Sequence, residues 1–167
     1  DGFAHCNLVR RLDVAERRYD AALESSPNEA LAWLFKGAFH TFRSEGELAV
    51  ESARKARALS PIDPFGYFYD AMIAGAHLAA GNFNEALELS ERSLKFNDRH
   101  LSTLRIKLFA LYFVGQTDEA ITVGGELLQR QPDFTISDYM KRHPSADYPM
   151  GKMMAEALRA ARIPTGG

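Results

Sequence analysis

Four alanines recur along this chain of 167 residues at nearly constant spacing. They are 34, 37 and 34 residues apart, and a proline follows three of them after twelve residues. Asp98 takes the place of the proline after the third alanine. A period near 34 residues that is closed by proline is typical of arrays in which each repeat is a pair of antiparallel helices. The alanines are Ala15, Ala49, Ala86 and Ala120, and the prolines are Pro27, Pro61 and Pro132.

The second repeat shows the pattern most clearly. Trp33 and Gly37 lie one turn apart on a helix that the sequence predicts from about Asn28 to Arg43. The glycine allows a second helix to approach closely, and the tryptophan fills the space beside it. Ala49, Ala53 and Ala56 form a stripe of small residues at helical spacing. We therefore predict two closely packed helices here.

Two glycines mark the turns inside the later repeats. Gly81 and Gly115 are 34 residues apart, and each stands five residues before a repeating alanine. We predict that each ends a helix in a left-handed C-cap. Asn82 and Glu85 have the spacing of a capping box at the start of the next helix.

Composition narrows the functional classes. The net charge of -2 offers no electrostatic attraction for nucleic acid or an anionic membrane. No apolar run approaches the ~18 residues needed to span a bilayer. The single cysteine, Cys6, excludes an internal disulfide and is compatible with a reducing compartment. We expect a cytoplasmic protein without a cofactor, and we interpret the chain, which opens at Asp1 with no initiator Met, as a fragment of a longer protein.

The predicted organisation is a single all-α domain over residues 1–167. Its repeats cover about 1–29, 30–63, 67–100 and 101–134, and the first is incomplete. Three extra residues fall near Ser60–Gly66, and we expect Phe65 or Phe68 to be tucked under that loop. A cap over 135–164 follows, with a short helix from Phe134 to His143 and a terminal helix from about Tyr148 to Arg162. The terminal helix carries methionines on one face and is predicted to cover the last repeat.

The first helix of each pair is expected to line a concave groove that binds a partner. The groove would be apolar and aromatic, with Arg105 as its cation, and would suit a peptide, an amphipathic helix or a neighbouring domain. Some of these side chains can instead pack on one another, and the chain's own upstream segment can fill the groove. We expect Phe109→Glu to abolish partner binding while helicity is kept. The predicted groove residues are Leu34, Phe35, Phe42, Met72, Arg105, Phe109 and Tyr112.

No catalytic arrangement is recognisable in the sequence, and we expect no enzyme activity and no metal site. His40 and His77 occupy equivalent places in successive repeats, on the order of 10 Å apart. That distance is too long for both rings to bind one metal at ~2 Å, so packing is favoured. Asp63 and Asp70 are interpreted as helix-start carboxylates. The basic clusters Arg10-Arg11, Arg17-Arg18 and Arg54-Lys55-Arg57 are interpreted as solvated helix faces without nucleic-acid contacts.

The repeats over residues 12 to 132 resemble the tetratricopeptide family. This resemblance implies a superhelix of helix-turn-helix repeats that acts as a protein-interaction scaffold. Family members that bind chaperone tails hold a carboxylate with a lysine and asparagine clamp. The matching places here carry Leu34, Ala38, Met72 and Ile106, so the clamp is absent.

A closer resemblance covers residues 45 to 164. The loop Ala58-Leu59-Ser60-Pro61-Ile62-Asp63-Pro64 and the ending Glu156 to Pro164 are similar to those of bacterial class III adenylate cyclase-like proteins and winged-helix regulators, where such domains are C-terminal. The stretches Gly115 to Ala120 and Pro132 to Ile136 also fit that set. Arg162 stands where that set usually carries glycine. The resemblance implies a regulatory or sensory module, and any catalysis would lie in a missing N-terminal domain. A third alternative is a structural homodimer formed through the truncated first repeat or the methionine-rich helix.

Overall fold

The computed structural model describes residues 12–167, which form nine α-helices joined by short turns. The predicted first helix of the first repeat, Cys6 and the Arg10-Arg11 cluster lie outside these residues. The helices are α1 Leu12–Ser25, α2 Ala30–Phe42, α3 Gly46–Leu59, α4 Gly66–Ala79, α5 Phe83–Phe96, α6 Leu101–Phe113, α7 Thr117–Arg130, α8 Ile136–Arg142 and α9 Pro149–Ala160.

The helices pack as successive hairpins, α2 with α3, α4 with α5 and α6 with α7. Within each hairpin, three residues separate the two helices. All four repeating alanines are fully buried, at 0% exposure. Where the side chain is a single methyl group, neighbouring helices can approach closely, and this explains the alanine period.

Gly37 supports the same explanation. A Cβ at Gly37 would lie 3.2 Å from the carbonyl oxygen of Ala49 and 3.4 Å from the backbone nitrogen of Ala53. The indole N–H of Trp33 donates to the carbonyl of Pro27 at 2.8 Å, so the tryptophan also holds the turn before α2. The predicted close packing of these two helices is confirmed.

The turns inside the hairpins adopt left-handed backbone conformations. Gly81 has φ of 77° and Gly115 has φ of 85°, as predicted for helix C-caps. Ser44 takes the equivalent place in the second repeat with φ of 63°, although serine is disfavoured there. The predicted capping box at Asn82 is wrong, because its side chain makes no hydrogen bond to the helix and instead lies 3.3 Å from Nδ1 of His77.

The loop between α3 and α4 is organised by Asp63. Its carboxylate accepts hydrogen bonds from the hydroxyl of Ser60 at 2.9 Å and from the backbone N–H of Phe65 at 2.8 Å. These hydrogen bonds lower the pKa of Asp63. Of the two rings named in the prediction, Phe65 is 63% exposed, so that part is wrong. Phe68 is half-buried and packs against the core cluster that contains the buried ring of Tyr69.

Asp70 is not a helix-start carboxylate, and this prediction is corrected by the structure. It is buried one turn inside α4 and accepts two hydrogen bonds from Arg92 of α5, each 2.7 Å long. Arg57 of α3 also contacts it, so Arg57 does not belong to a purely solvated face. The hydrogen bonds to Asp70 raise the pKa of Arg92. This ion triad joins three consecutive helices.

The C-terminal segment covers the last repeat, as predicted. Helix α9 packs against α6 and α7 and buries Met150, Met154 and Leu158. After α9 the chain returns to α8, whose residue Ile136 donates its backbone N–H to the carbonyl of Pro164 at 2.9 Å. None of the helices formed by residues 12–167 is both long enough and apolar enough to cross a membrane.

Candidate functional site: the concave groove

A groove of about 830 Å³ lies on the concave side of the array. Its floor comes from the first helix of each hairpin, and one wall comes from the end of α7 and the chain that follows it. The floor residues are Ala38, Thr41 and Phe42 of α2, Phe68, Ala71, Met72, Gly75 and Leu78 of α4, and Ser102, Arg105, Ile106 and Phe109 of α6, with His100 just before α6. The wall residues are 130–135, Asp138, Tyr139, 142–144, Met150 and Met154.

Four of the seven predicted groove residues line this space, namely Phe42, Met72, Arg105 and Phe109. The other three lie elsewhere. Leu34 is buried in the core between the first two complete hairpins. Phe35 stacks edge-on against Phe68 at 6.3 Å, and the hydroxyl of Tyr112 donates to Glu156 of α9 at 2.7 Å.

Phe109 belongs to the core as well as to the groove. Its side chain is 1% exposed and packs within the largest apolar cluster. A glutamate there would place a carboxylate among apolar side chains, which is costly for folding. Phe109→Glu therefore would not leave the fold intact, and half-buried Met72 and Ile106 are better positions for testing binding.

An uninterrupted row of rings forms part of the wall. His143 contacts Phe42 of α2 at 5.5 Å between ring centroids and Tyr139 of α8 at 4.9 Å, and Tyr139 contacts Phe134 at 5.4 Å. This wall was not predicted from the sequence. The signal was present, because Tyr139 and His143 are four residues apart and share one face of the helix predicted from Phe134 to His143.

Residues 143–150 close the groove on the side of the second repeat, and we name them the closing segment. The backbone N–H of Met150 donates to Oγ of Ser44 at 2.9 Å. Tyr148 packs against the cluster formed by Leu12, Tyr19 and Phe39. A segment near the C-terminal end thus occupies one margin of the groove. The chain's upstream segment, which was considered above as an occupant, lies outside the described residues.

Arg105 is held in a fixed position on the floor. Its guanidinium carbon lies 5.3 Å from the ring centroid of Tyr139 and 5.7 Å from that of Phe134. Its Nη2 donates to the hydroxyl of Ser102 at 3.1 Å. Contacts with two ring faces are favourable for a cation, and the five N–H donors of the guanidinium group outnumber its hydrogen-bond partners here, Ser102 and the hydroxyl of Tyr139.

Two neighbours of Arg105 have shifted pKa values. Burial lowers the pKa of His100, and the positive charge of Arg105 lowers it further. Burial raises the pKa of Tyr139, although the nearby Arg105 acts in the opposite direction. His100 is also fixed by Thr103, whose Oγ1 lies 2.6 Å from its Nδ1.

The two repeat-equivalent histidines are engaged in the turns of their hairpins. His40 is buried, and its Nδ1 lies 2.6 Å from Oε2 of Glu45. His77 lies beside Asn82, which is five residues later in the chain. Glu45 likewise stands five residues after His40. Over residues 12–167, no group of three or more His, Cys, Asp or Glu side chains is arranged to hold a metal ion.

The methionine-rich face of α9 is turned inward. Met150 and Met154 are buried against the last repeat, and Met153 is half-buried. The proposed dimer contact through this face would therefore have to displace α9. The alternative contact, through the first helix of the first repeat, falls outside the described residues.

The hairpins, the turns and the terminal cap define an all-α tetratricopeptide superhelix. Solved structures that share this fold include MamA and YrrB. MamA superposes with a TM-score of 0.62 at 19% identity over 96% of this chain and 92% of its own. YrrB, described as a TPR protein with an unusual peptide-binding site, gives a TM-score of 0.58 at 19% identity over 92% of this chain and 77% of its own. No protein-family model matches the sequence, and no curated protein matches it.

Proposed function

We propose that this domain is a non-catalytic protein-interaction scaffold that binds a peptide segment in the concave groove. The observation that carries the proposal is the groove itself, which is apolar on its floor and open between the hairpins and the C-terminal wall. Its volume of about 830 Å³ is within the range of pockets that enclose a ligand, roughly 300 to 1,000 Å³. The peptide-binding site named for YrrB supports the same use of the fold.

The closing segment favours an extended peptide over a long helix. Residues 143–150 bridge from the last repeat to Phe42 and Ser44, so they occupy one margin of the groove. An α-helix is about 10 Å wide with its side chains and would have to displace this segment. An extended segment can place alternate side chains on the floor without doing so.

Gly75 offers a direct test. It lies on the floor of the groove, where an added Cβ would be 3.7 Å from Thr41 and 3.8 Å from Ile106, in ordinary contact. A leucine at this position is accommodated by the helix, but its side chain must extend into the groove. Glycine is a poor helix former, so the gain in helix propensity from Gly75→Leu, up to about 1 kcal/mol, offsets part of the cost of fitting the larger side chain.

The experiment is selection of a random peptide library displayed on phage, followed by calorimetry with the selected peptides. We expect selected peptides to bind the wild type and to lose binding to Gly75→Leu. Gly125→Leu is the matched control, because Gly125 is helical, faces open space and lies outside the groove. Failure to select any sequence, or equal binding to both variants, would refute the groove as the binding surface.

A regulatory role beside an effector domain is a second candidate. The turn at Asp63 holds Ile62 at 94% exposure and Phe65 at 63% exposure, so two large apolar side chains are available to a neighbouring domain. Arg162 has φ of 61°, a conformation that favours the glycine found there in the cyclase-associated and winged-helix set. Sequencing the gene upstream of the codon for Asp1 tests this role, which requires an effector domain there.

A further inference from the structure

We infer that the groove is selective for an acidic peptide, and that Arg105 binds an aspartate or glutamate side chain of the ligand next to an apolar residue. This inference rests on the proposed peptide-binding function and specifies the class of partner. Arg105 is a cation placed among apolar neighbours, including Ile106 and Phe109, on the first helix of the last hairpin.

Arg105 lacks a carboxylate partner in the described part of the chain. Within residues 12–167, no aspartate or glutamate lies within the ion-pair distance of 4.0 Å from its guanidinium group. The nearby groove residues are engaged differently. Asp138 is bound by Thr135 at 3.1 Å and Lys141 at 3.4 Å, Arg130 is already paired with Glu126, and Asp133 is exposed at the rim.

The surroundings of Arg105 hold it ready for a ligand. The faces of Phe134 and Tyr139 support the guanidinium plane, and Ser102 takes one of its N–H groups. The remaining N–H groups can form a bidentate pair with a carboxylate, the arrangement that arginine favours. A partly desolvated cation gains more from such a pair than a fully exposed one does. Carboxylate recognition is therefore the chemistry that completes this site.

The library selection described above also tests this inference. Display at the amino terminus of a phage coat protein leaves the peptides without a free carboxyl terminus, so any acidic preference comes from side chains. We expect wild-type selections to be enriched in aspartate and glutamate beside leucine, phenylalanine or methionine. Selections on Arg105→Gln should lose the acidic enrichment, and selections on Arg159→Gln should keep it, because Arg159 is exposed on α9 outside the groove.

Synthetic peptides measure the size of the effect. Replacing the selected glutamate by glutamine should weaken binding to the wild type at least about tenfold, as expected for a charge-assisted pair. Since Arg105→Gln also removes packing against two rings, the charge-reversed pair is the decisive control. Arg105→Glu should bind a peptide with lysine at the selected position better than the original peptide, a result that unfolding cannot produce.

The outcomes separate the two proposals. Selection of apolar peptides without acidic residues, or acidic enrichment that survives Arg105→Gln, would overturn the role of Arg105 while leaving the groove function standing. Selection of no peptide at all would overturn both. A peptide with glutamine at the selected position and a free carboxyl terminus should bind as weakly as its amidated form. Tighter binding by the free terminus would overturn the assignment to a side chain.

Discussion

The backbone N–H of Met150 donates a hydrogen bond to Oγ of Ser44 at 2.9 Å, joining two residues that are 106 positions apart. Ser44 is the left-handed turn residue of the second repeat, and Met150 lies in the first turn of α9. The N-cap residue of α9 is Tyr148, and its side chain makes no capping hydrogen bond to the helix. The serine therefore satisfies one of the exposed amides at the start of a helix from a distant part of the chain.

Removal of this hydroxyl should loosen the closing segment. We expect Ser44→Ala to lower the free energy of unfolding by about 1 kcal/mol, as for loss of a helix N-cap. Hydrogen exchange should accelerate at the amides of Met150, Gly151 and Lys152 and stay unchanged in α5. Ser44→Gly is the informative comparison, because it loses the same hydrogen bond but relieves the left-handed strain of about 1 kcal/mol. Equal exchange in the wild type and both variants would contradict the capping role.

The ion triad at Asp70 should contribute more to the free energy of unfolding than a pair of exposed charges does. Asp70→Asn leaves Arg57 and Arg92 facing each other near a buried site, so we expect a loss of about 2 kcal/mol in urea unfolding. This is below the usual cost of breaking a fully buried pair because the Arg92 side chain is 49% exposed. Arg92→Ala should cost less than Asp70→Asn, since Arg57 still contacts the carboxylate. The reverse order would show that the carboxylate does not hold the triad together.

Adjacent glycines of α7 provide a matched pair for the docking of the terminal helix. A Cβ at Gly124 would lie 2.6 Å from the carbonyl oxygen of Ala161, whereas a Cβ at Gly125 would meet nothing within 4 Å. We expect Gly124→Ala to destabilise the protein by about 1–3 kcal/mol through overpacking. Gly125→Ala should stabilise it by up to about 1 kcal/mol, because alanine is the better helix former. Thermal unfolding measures both, and a similar effect of the two changes would contradict the close contact.

Stability should fall as the pH decreases through the range where histidine titrates. Burial lowers the pKa values of His77 and His100 in the folded state. The unfolded chain then binds more protons than the folded one below the unfolded value of about 6.5. Stability is therefore fully present above that pH and is lost progressively until the lower folded pKa is reached. Nearby Arg105 strengthens the effect at His100.

Urea unfolding at several pH values between about 5 and 8 measures the contribution of the histidines to stability, since few other groups titrate in this range. We expect His100→Gln to reduce the dependence of the unfolding free energy on pH. The double variant with His100→Gln and His77→Gln should reduce this dependence further. Lys107→Gln, on the same helix as Arg105, serves as a control that should leave the slope unchanged. A slope that is the same in the wild type and in the double histidine variant would contradict burial as the cause.

Local sequence patterns were sufficient to predict much of the fold. The period of Ala15, Ala49, Ala86 and Ala120 predicted the helix pairs because a position packed against two backbones accepts only a small side chain, and all four are fully buried. Gly81 and Gly115 predicted their turns because a positive φ strongly favours glycine. Ser44 adopts the same conformation without this signal, and only the surrounding contacts hold it there.

The candidate site depended on contacts between distant segments. Helical spacing placed Phe42, Met72, Arg105 and Phe109 on the concave side, since residues on one face of each first helix recur with the repeat. Helical spacing alone could not distinguish Leu34 and Tyr112 from these groove residues. Leu34 is buried between hairpins, and Tyr112 forms a hydrogen bond to Glu156 of α9. The wall formed by Phe134, Tyr139 and His143 follows from how the C-terminal segment folds back over the groove. The sequence by itself determined the repeats and their turns, whose geometry is set by neighbouring residues, and tertiary packing across the array decided the shape and charge of the groove.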